Sequence, residues 1–321
     1  MKFDRPLIIF ASSLVALVAV GPWMPQWAIF LITVSLAKGF VVLGLMLLLR
    51  AGLVSFGQGL YYCLGAYTAG ALVHFYKVQD AILLLGAGTL CAVLVAILLG
   101  FLLAAYRGIF FGLLSLACSM ILYGLIVKSS ALGSTDGFIL APPHLFGASL
   151  GPSARYIVFA IACALTLLAG WASQVYSKTP LGRLAPAIRD NEIRVEYMGQ
   201  SVRNAVHIKY VIAAALGGLG GALTAITVGH IDPEMAYWTT SGEFVFILIL
   251  SGTGSVIAPF LGALIFGAIR TFAYEYSPNT WQMVLGIAML LVITFLPDGL
   301  WSLFRTRPAR ARPANDRAGA A

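Results

Sequence analysis

Runs of about twenty apolar residues recur along this chain, and a run of that length is what an α-helix needs to cross a bilayer. The segment AILLLGAGTLCAVLVAILLGFLL at 81–103 contains no charged residue. The whole chain is 60% hydrophobic and 10% charged, with a mean hydropathy of +0.93. Soluble domains carry about 25% charged residues, so lipid must replace water around much of this surface. The sequence therefore predicts an all-α fold, a polytopic transmembrane helical bundle.

The formal net charge is +8. On a soluble protein such an excess points toward nucleic acid. Here Lys and Arg flank the apolar runs, as the positive-inside rule expects. The expected partner of this charge is the bilayer, not nucleic acid. Helices are expected at about 6–22, 27–49, 60–76, 81–105, 109–127, 156–176, 208–229, 243–252, 256–272 and 280–297. Lys2 and Arg5 put the N-terminus inside, and the loop 128–155 then falls outside. The loop 177–207 falls inside with Lys178, Arg183, Arg189, Arg194 and Arg203, the most basic internal loop. If the chain reverses at SGTGS (251–255), the arginine-rich C-terminus also returns inside. Gly252, Gly254 and Pro259 are the turn formers for that reversal. About ten membrane segments result, with both termini cytoplasmic. Residues 1–304 form the membrane unit, and the Pro/Ala/Arg-rich stretch 305–321 reads as a disordered basic tail. The N-terminal MKFDRPLIIFASSLVALVAV has the charge and apolar run of a signal sequence but no clear cleavage site, so it reads as a retained first helix.

Enzyme equipment is missing from the sequence. It has no Walker A motif, no HExxH and no Gly-x-Ser-x-Gly elbow. His74, His144, His207 and His230 are scattered, and Cys63, Cys91, Cys118 and Cys163 each sit alone in an apolar segment. Neither a catalytic group, a metal site nor a cofactor is expected. Ionisable residues within membrane segments mark functional paths by default. Lys38, Glu243 and Arg270 are the few present, with Lys38 facing a watery cavity or paired within the bundle and Arg270 able to snorkel. Such scarcity argues against an ion-coupled carrier and leaves the energy source outside this chain.

Two stretches stand out. In AGLVSFGQGLYYCLGAYTAG (51–70) the close glycines permit either a loop lining a pathway or a tight turn before a closely packed helix. In 177–207, Thr179 and Pro180 can start a short helix, Asp190 can cap a second, and Gly199 can end it. Glu192 and Glu196 share one face, beside an apolar edge of Ile193 and Tyr197. Short amphipathic helices at the cytoplasmic membrane surface suit docking to headgroups or to a cytosolic partner. The next helix carries Gly217 and Gly221 at GxxxG spacing, a close-packing face.

Six stretches in order resemble the LivM-type permease family of branched-chain amino acid ABC importers. They are AGLVSFGQGLYYCLGAYTAG, RGIFFGLLSLA, GSTDGF, GRLAPAIRDNEIRVEYMGQSVRNAVHIKYVIAAALGGLGGAL, ILSGTGSVIAPFLGA and WQMVLGIAMLLVITFLPDGLWSLF. The resemblance implies a permease that works with a sister permease, two cytosolic ATP-binding subunits and a periplasmic substrate-binding protein in the bacterial inner membrane. It implies that Arg189, Asp190, Glu192, Arg194, Glu196 and Gly199 form the ATPase-coupling loop. Motif position and polarity together suggest Ser55, Gln58, Ser115 and Asp136 for the pathway of a small-molecule substrate. Gln58 stands where the family often has His, Ser134 and Thr135 replace glycines, and Asp298 replaces a common Arg. These departures bear on substrate: leucine, isoleucine and valine, or urea, amides or related small polar solutes. An ion-coupled secondary transporter, a membrane enzyme and a channel are the other readings; the first needs a working role for Lys38 or Glu243.

Overall fold

The computed structural model describes residues 5–145, 148–149, 151–276, 280–296 and 299–304. Lys2, Asp298 and the segment 305–321, on which some expectations rest, lie outside the described residues. The described chain is an all-α membrane bundle. Its helices are α1 (Arg5–Val20), α2 (Gln26–Leu49), α3 (Gln58–Tyr76), α4 (Ala81–Leu103), α5 (Gly108–Lys128), α6 (Ala154–Lys178), α7 (Pro180–Asp190), α8 (Glu192–Tyr197), α9 (Val202–Val228), α10 (Trp238–Ser251), α11 (Ala258–Tyr276) and α12 (Trp281–Phe295). Among the described residues, α2, α4, α5, α6 and α9 are long and apolar enough to cross a membrane. The break between α10 and α11 falls at the expected SGTGS reversal.

Helix α9 starts at Val202, before the expected 208, because the Ser201 hydroxyl accepts from the Asn204 amide at 3.3 Å and organises the polar first turn. At its far end Gly229 adopts a left-handed backbone, φ +73°, and closes the helix. Helices α2, α3 and α4 pack around α9. Close backbone approach makes this possible. A Cβ on Gly44 of α2 would lie 2.8 Å from the Ala213 carbonyl oxygen, and one on Gly221 of α9 would run into the Tyr62 carbonyl of α3. The GxxxG face is thus a helix-packing seam.

The helix ends gather into two faces. At one, Arg50, Arg107, Arg183, Arg189, Arg194 and Arg203 surround α7 and α8, tied by Arg107–Glu192, Arg203 to the Phe101 carbonyl and Lys209 to the Leu181 carbonyl. At the other, β1 (Phe138–Ile139) pairs antiparallel with β4 (His230–Ile231), and β2 (His144–Leu145) with β3 (Ala148–Ser149). These two-residue pairings satisfy backbone groups in connecting loops and leave the class all-α. Ser134 lies in the same loops with a left-handed backbone, φ +49°, and donates to the Val127 carbonyl at 2.7 Å. It occupies a conformation that glycine adopts freely.

Exposed Leu94, Leu98 and Phe101 on α4, and Phe110 and Leu113 on α5, form an apolar surface the bundle does not cover. The four cysteines are free thiols, Cys63 and Cys163 fully buried.

Candidate functional site

Three groupings of polar side chains interrupt this apolar body. The first lies where the chain leaves α2 and enters α3. After Arg50 the backbone runs non-helically past α5 and becomes helical only at Gln58. Its amides are met by serines. The Ser115 hydroxyl of α5 accepts from the Phe56 amide at 3.1 Å and donates to the Gly112 carbonyl at 2.8 Å. Ser55 accepts from the Gly57 amide at 3.2 Å. From the opposite face, the segment after α9 also turns inward. The Ser241 hydroxyl of α10 accepts from the Gly59 amide at 3.1 Å, and Ser119 donates to the Ala236 carbonyl at 2.7 Å. The N-terminal turns of α3 and α10 therefore meet inside the bundle.

At that junction Gln58 is fully buried, and neither atom of its side-chain amide has a hydrogen-bond partner among the described residues. A buried amide without partners costs roughly 1–3 kcal/mol. Of the four expected pathway residues, Ser55, Gln58 and Ser115 come together here. Asp136 does not: it is exposed in the turn after α5, beside the β1–β4 pairing. Ser119 and Ser241 join the group and were not singled out in the sequence. Nothing in their local pattern separates them from other serines on apolar helices.

The second grouping is an ion cluster. Lys38 Nζ of α2 lies 2.5 Å from Glu243 Oε1 of α10, and Arg270 Nη1 of α11 lies 3.1 Å from both Glu243 oxygens. One carboxylate thus joins three helices. Lys38 pairs within the bundle, one of its two expected situations. Arg270 reaches its carboxylate although its side chain stays 42% exposed, so snorkelling is only part of its role.

The third grouping is the α7–α8 unit. The Thr179 hydroxyl accepts from the Gly182 amide at 3.2 Å and caps α7, with Pro180 in the first turn. The expected cap of α8 is corrected: α7 runs on through Asp190, and the cap is Asn191, whose Oδ1 accepts from the Arg194 amide at 3.0 Å. Past Met198, Gly199 takes φ +78° and turns the chain toward α9. Ala185, Ile188 and Val195 are buried and seat the unit on the bundle. The Glu192 carboxylate accepts from Arg107 Nε at 2.6 Å, which ties α8 to the α4–α5 connection. Arg189 packs against Gly52, next to the break before α3. On the outward side Ile193, Tyr197 and Met198 stand free, Tyr197 at 88% exposure, flanked by exposed Arg194 and Glu196.

A sequence profile described as "Branched-chain amino acid transport system / permease component" matches residues 27–294. The chain belongs to this family. The permease is 27% identical to the high-affinity branched-chain amino acid transport system permease protein LivM of Escherichia coli (strain K12), over 94% of this chain and 76% of that protein. It is 24% identical to the LivH permease protein of the same strain, over 78% of this chain and 85% of that one. The BraD permease protein of Pseudomonas aeruginosa is 24% identical over 78% of this chain and 86% of its own length. No solved structure matches. The matched residues include all three polar groupings, so each belongs to the family's portion of the chain.

Proposed function

We propose that this chain is the membrane-spanning permease subunit of an ABC importer, and that it carries leucine, isoleucine, valine or a closely related small polar solute across the bacterial inner membrane. It is a transport subunit and not an enzyme; ATP is hydrolysed in separate partner proteins. The observation that carries this reading is the α7–α8 unit. One side is buried against the bundle, and the other presents Ile193, Tyr197 and Met198 at the face that gathers the arginines. Exposed apolar side chains with a polar rim are the ordinary makeup of a protein interface.

In this account ten helices, all but α7 and α8, lie in the membrane, and the arginine-rich face with both termini is cytoplasmic. Two cytosolic ATP-binding subunits, a sister permease and a periplasmic substrate-binding protein complete the importer. Arg189, Asp190, Glu192, Arg194, Glu196 and Gly199 are the coupling elements. Their motion reaches the bundle through Glu192–Arg107 and through Arg189 against Gly52. The path for substrate runs from Asp136 toward Ser55, Gln58 and Ser115. The Gln58 amide both donates and accepts, which suits the ammonium and carboxylate of an amino acid. The N-termini of α3 and α10 favour the carboxylate.

Replacing Ile193 and Tyr197 together by serine is expected to leave the bundle folded, since both are exposed, yet abolish stoichiometric co-purification with the ATP-binding subunits. Removing two anchor side chains from an interface costs upward of about 2 kcal/mol each at hot spots. Wild-type recovery of the complex in this double variant would remove the docking role of α8.

A further inference from the structure

Beneath α7 lies an open cavity of about 580 Å³ that shares Arg189 and Asp190 with the proposed coupling elements but has no part in the proposed substrate path. It is walled by the ends of α2 and α6, by α7, by α9 and by the turn after α10. Four cations line it, Arg50, Arg183, Arg189 and Lys209, against one carboxylate, Asp190. Two of the four are held from behind by neutral acceptors. Arg50 donates to the Thr253 carbonyl at 2.9 Å and to the Ser177 hydroxyl at 3.4 Å. Lys209, almost fully buried, donates to the Leu181 carbonyl at 2.9 Å. Carbonyls and hydroxyls orient these groups without neutralising them. Arg183 and Arg189 reach in from the exposed side of α7. No carboxylate pairs with any of the four among the described residues, although other cations of this chain have found one.

A half-open cavity of this size with an uncompensated charge of this sign suits an anion. We propose that it is a binding site for a phosphate-bearing anion, either a free phosphate or the phosphate of an anionic lipid headgroup. Guanidinium groups match phosphate oxygens with paired hydrogen bonds, and an ammonium adds a point charge. An occupant would bridge α7 to α2 and α9, and so stiffen the coupling unit on the bundle. Binding can be read without any ATP-binding subunit, so its failure is distinct from failure of the transport reading.

The test uses the full chain in mild detergent, stripped of lipid, and native mass spectrometry. Phosphatidylglycerol is added in one arm, phosphatidylcholine in a second and inorganic phosphate in a third. One retained phosphatidylglycerol or phosphate per chain is expected, with no retained phosphatidylcholine. Displacement of the lipid by millimolar phosphate would assign the site to the free anion, and retention would assign it to the headgroup. Arg50→Gln with Arg183→Gln should weaken binding at least about tenfold, since each removes a charge-assisted contact. Asp190→Asn should tighten it. If the double variant fails to fold, Arg183→Gln alone, on the exposed side, should still weaken it severalfold. Equal binding by wild type and variants, or equal retention of phosphatidylcholine, would overturn the proposal.

Discussion

Glu243→Gln is expected to destabilise the bundle by about 3 kcal/mol, because it leaves two cations facing each other inside the protein. Lys38 and Arg270 both close on this one carboxylate, and the Lys38 and Glu243 side chains are only 16% and 17% exposed. The upper part of the usual range does not apply, since Arg270 is 42% exposed and keeps some water. Thermal unfolding in detergent, followed by loss of the monodisperse size-exclusion peak, reads the effect. Adding Lys38→Met to the same chain should return a measurable part of the loss, because it removes the buried Lys38 charge that the carboxylate had balanced. A Glu243→Gln protein as stable as wild type would mean that the cluster contributes nothing to folding. Lys38 and Glu243 would then be the first residues to examine under an ion gradient.

Gly221→Val carries a comparable penalty through packing. A β-carbon at Gly221 runs into the Tyr62 carbonyl, which belongs to a helix backbone and has no rotamer through which to yield. Helices α3 and α9 would have to separate along their whole seam, at a cost of about 3 kcal/mol or more. Gly86→Ala on α4 is the matched control, because a β-carbon there meets open space. That change should be neutral or stabilising by up to about 1 kcal/mol, as alanine is the better helix former. Similar expression and melting of Gly221→Val and Gly86→Ala would contradict the close approach of α3 and α9.

Much of this architecture was readable in the chain because it is local. The apolar runs, the Thr179–Pro180 start of α7, the Gly199 stop and the reversal at 251–255 each depend on neighbours in sequence. The misplaced cap of α8 shows how far local logic reaches. Asp190 and Asn191 are equally good capping residues by type. The choice fell to the backbone, which keeps Asp190 helical and takes Asn191 to φ −162°. Partners far apart in sequence were less visible. Lys38 and Glu243 were both conspicuous, yet 205 positions separate them, and only the packing of α2 against α10 makes them a pair. Ser119 and Ser241 carry no distinguishing local signal, because a serine on an apolar helix more often bonds its own backbone. Their distinction is the irregular chain they meet, the turns around Gly59 and Ala236, which tertiary structure alone brings within reach.

Transport of a small amino acid by this bundle, driven by ATP-binding subunits acting on α7 and α8, is tested most directly by reconstituting the chain with its ATP-binding subunits and sister permease in liposomes. Uptake of radiolabelled leucine is then measured with the substrate-binding protein outside and ATP within. Uptake is expected to need ATP, persist when ion gradients are collapsed, and disappear with Ile193→Ser/Tyr197→Ser. Uptake by the chain alone, driven by an ion gradient and indifferent to ATP, would contradict ATP-driven transport.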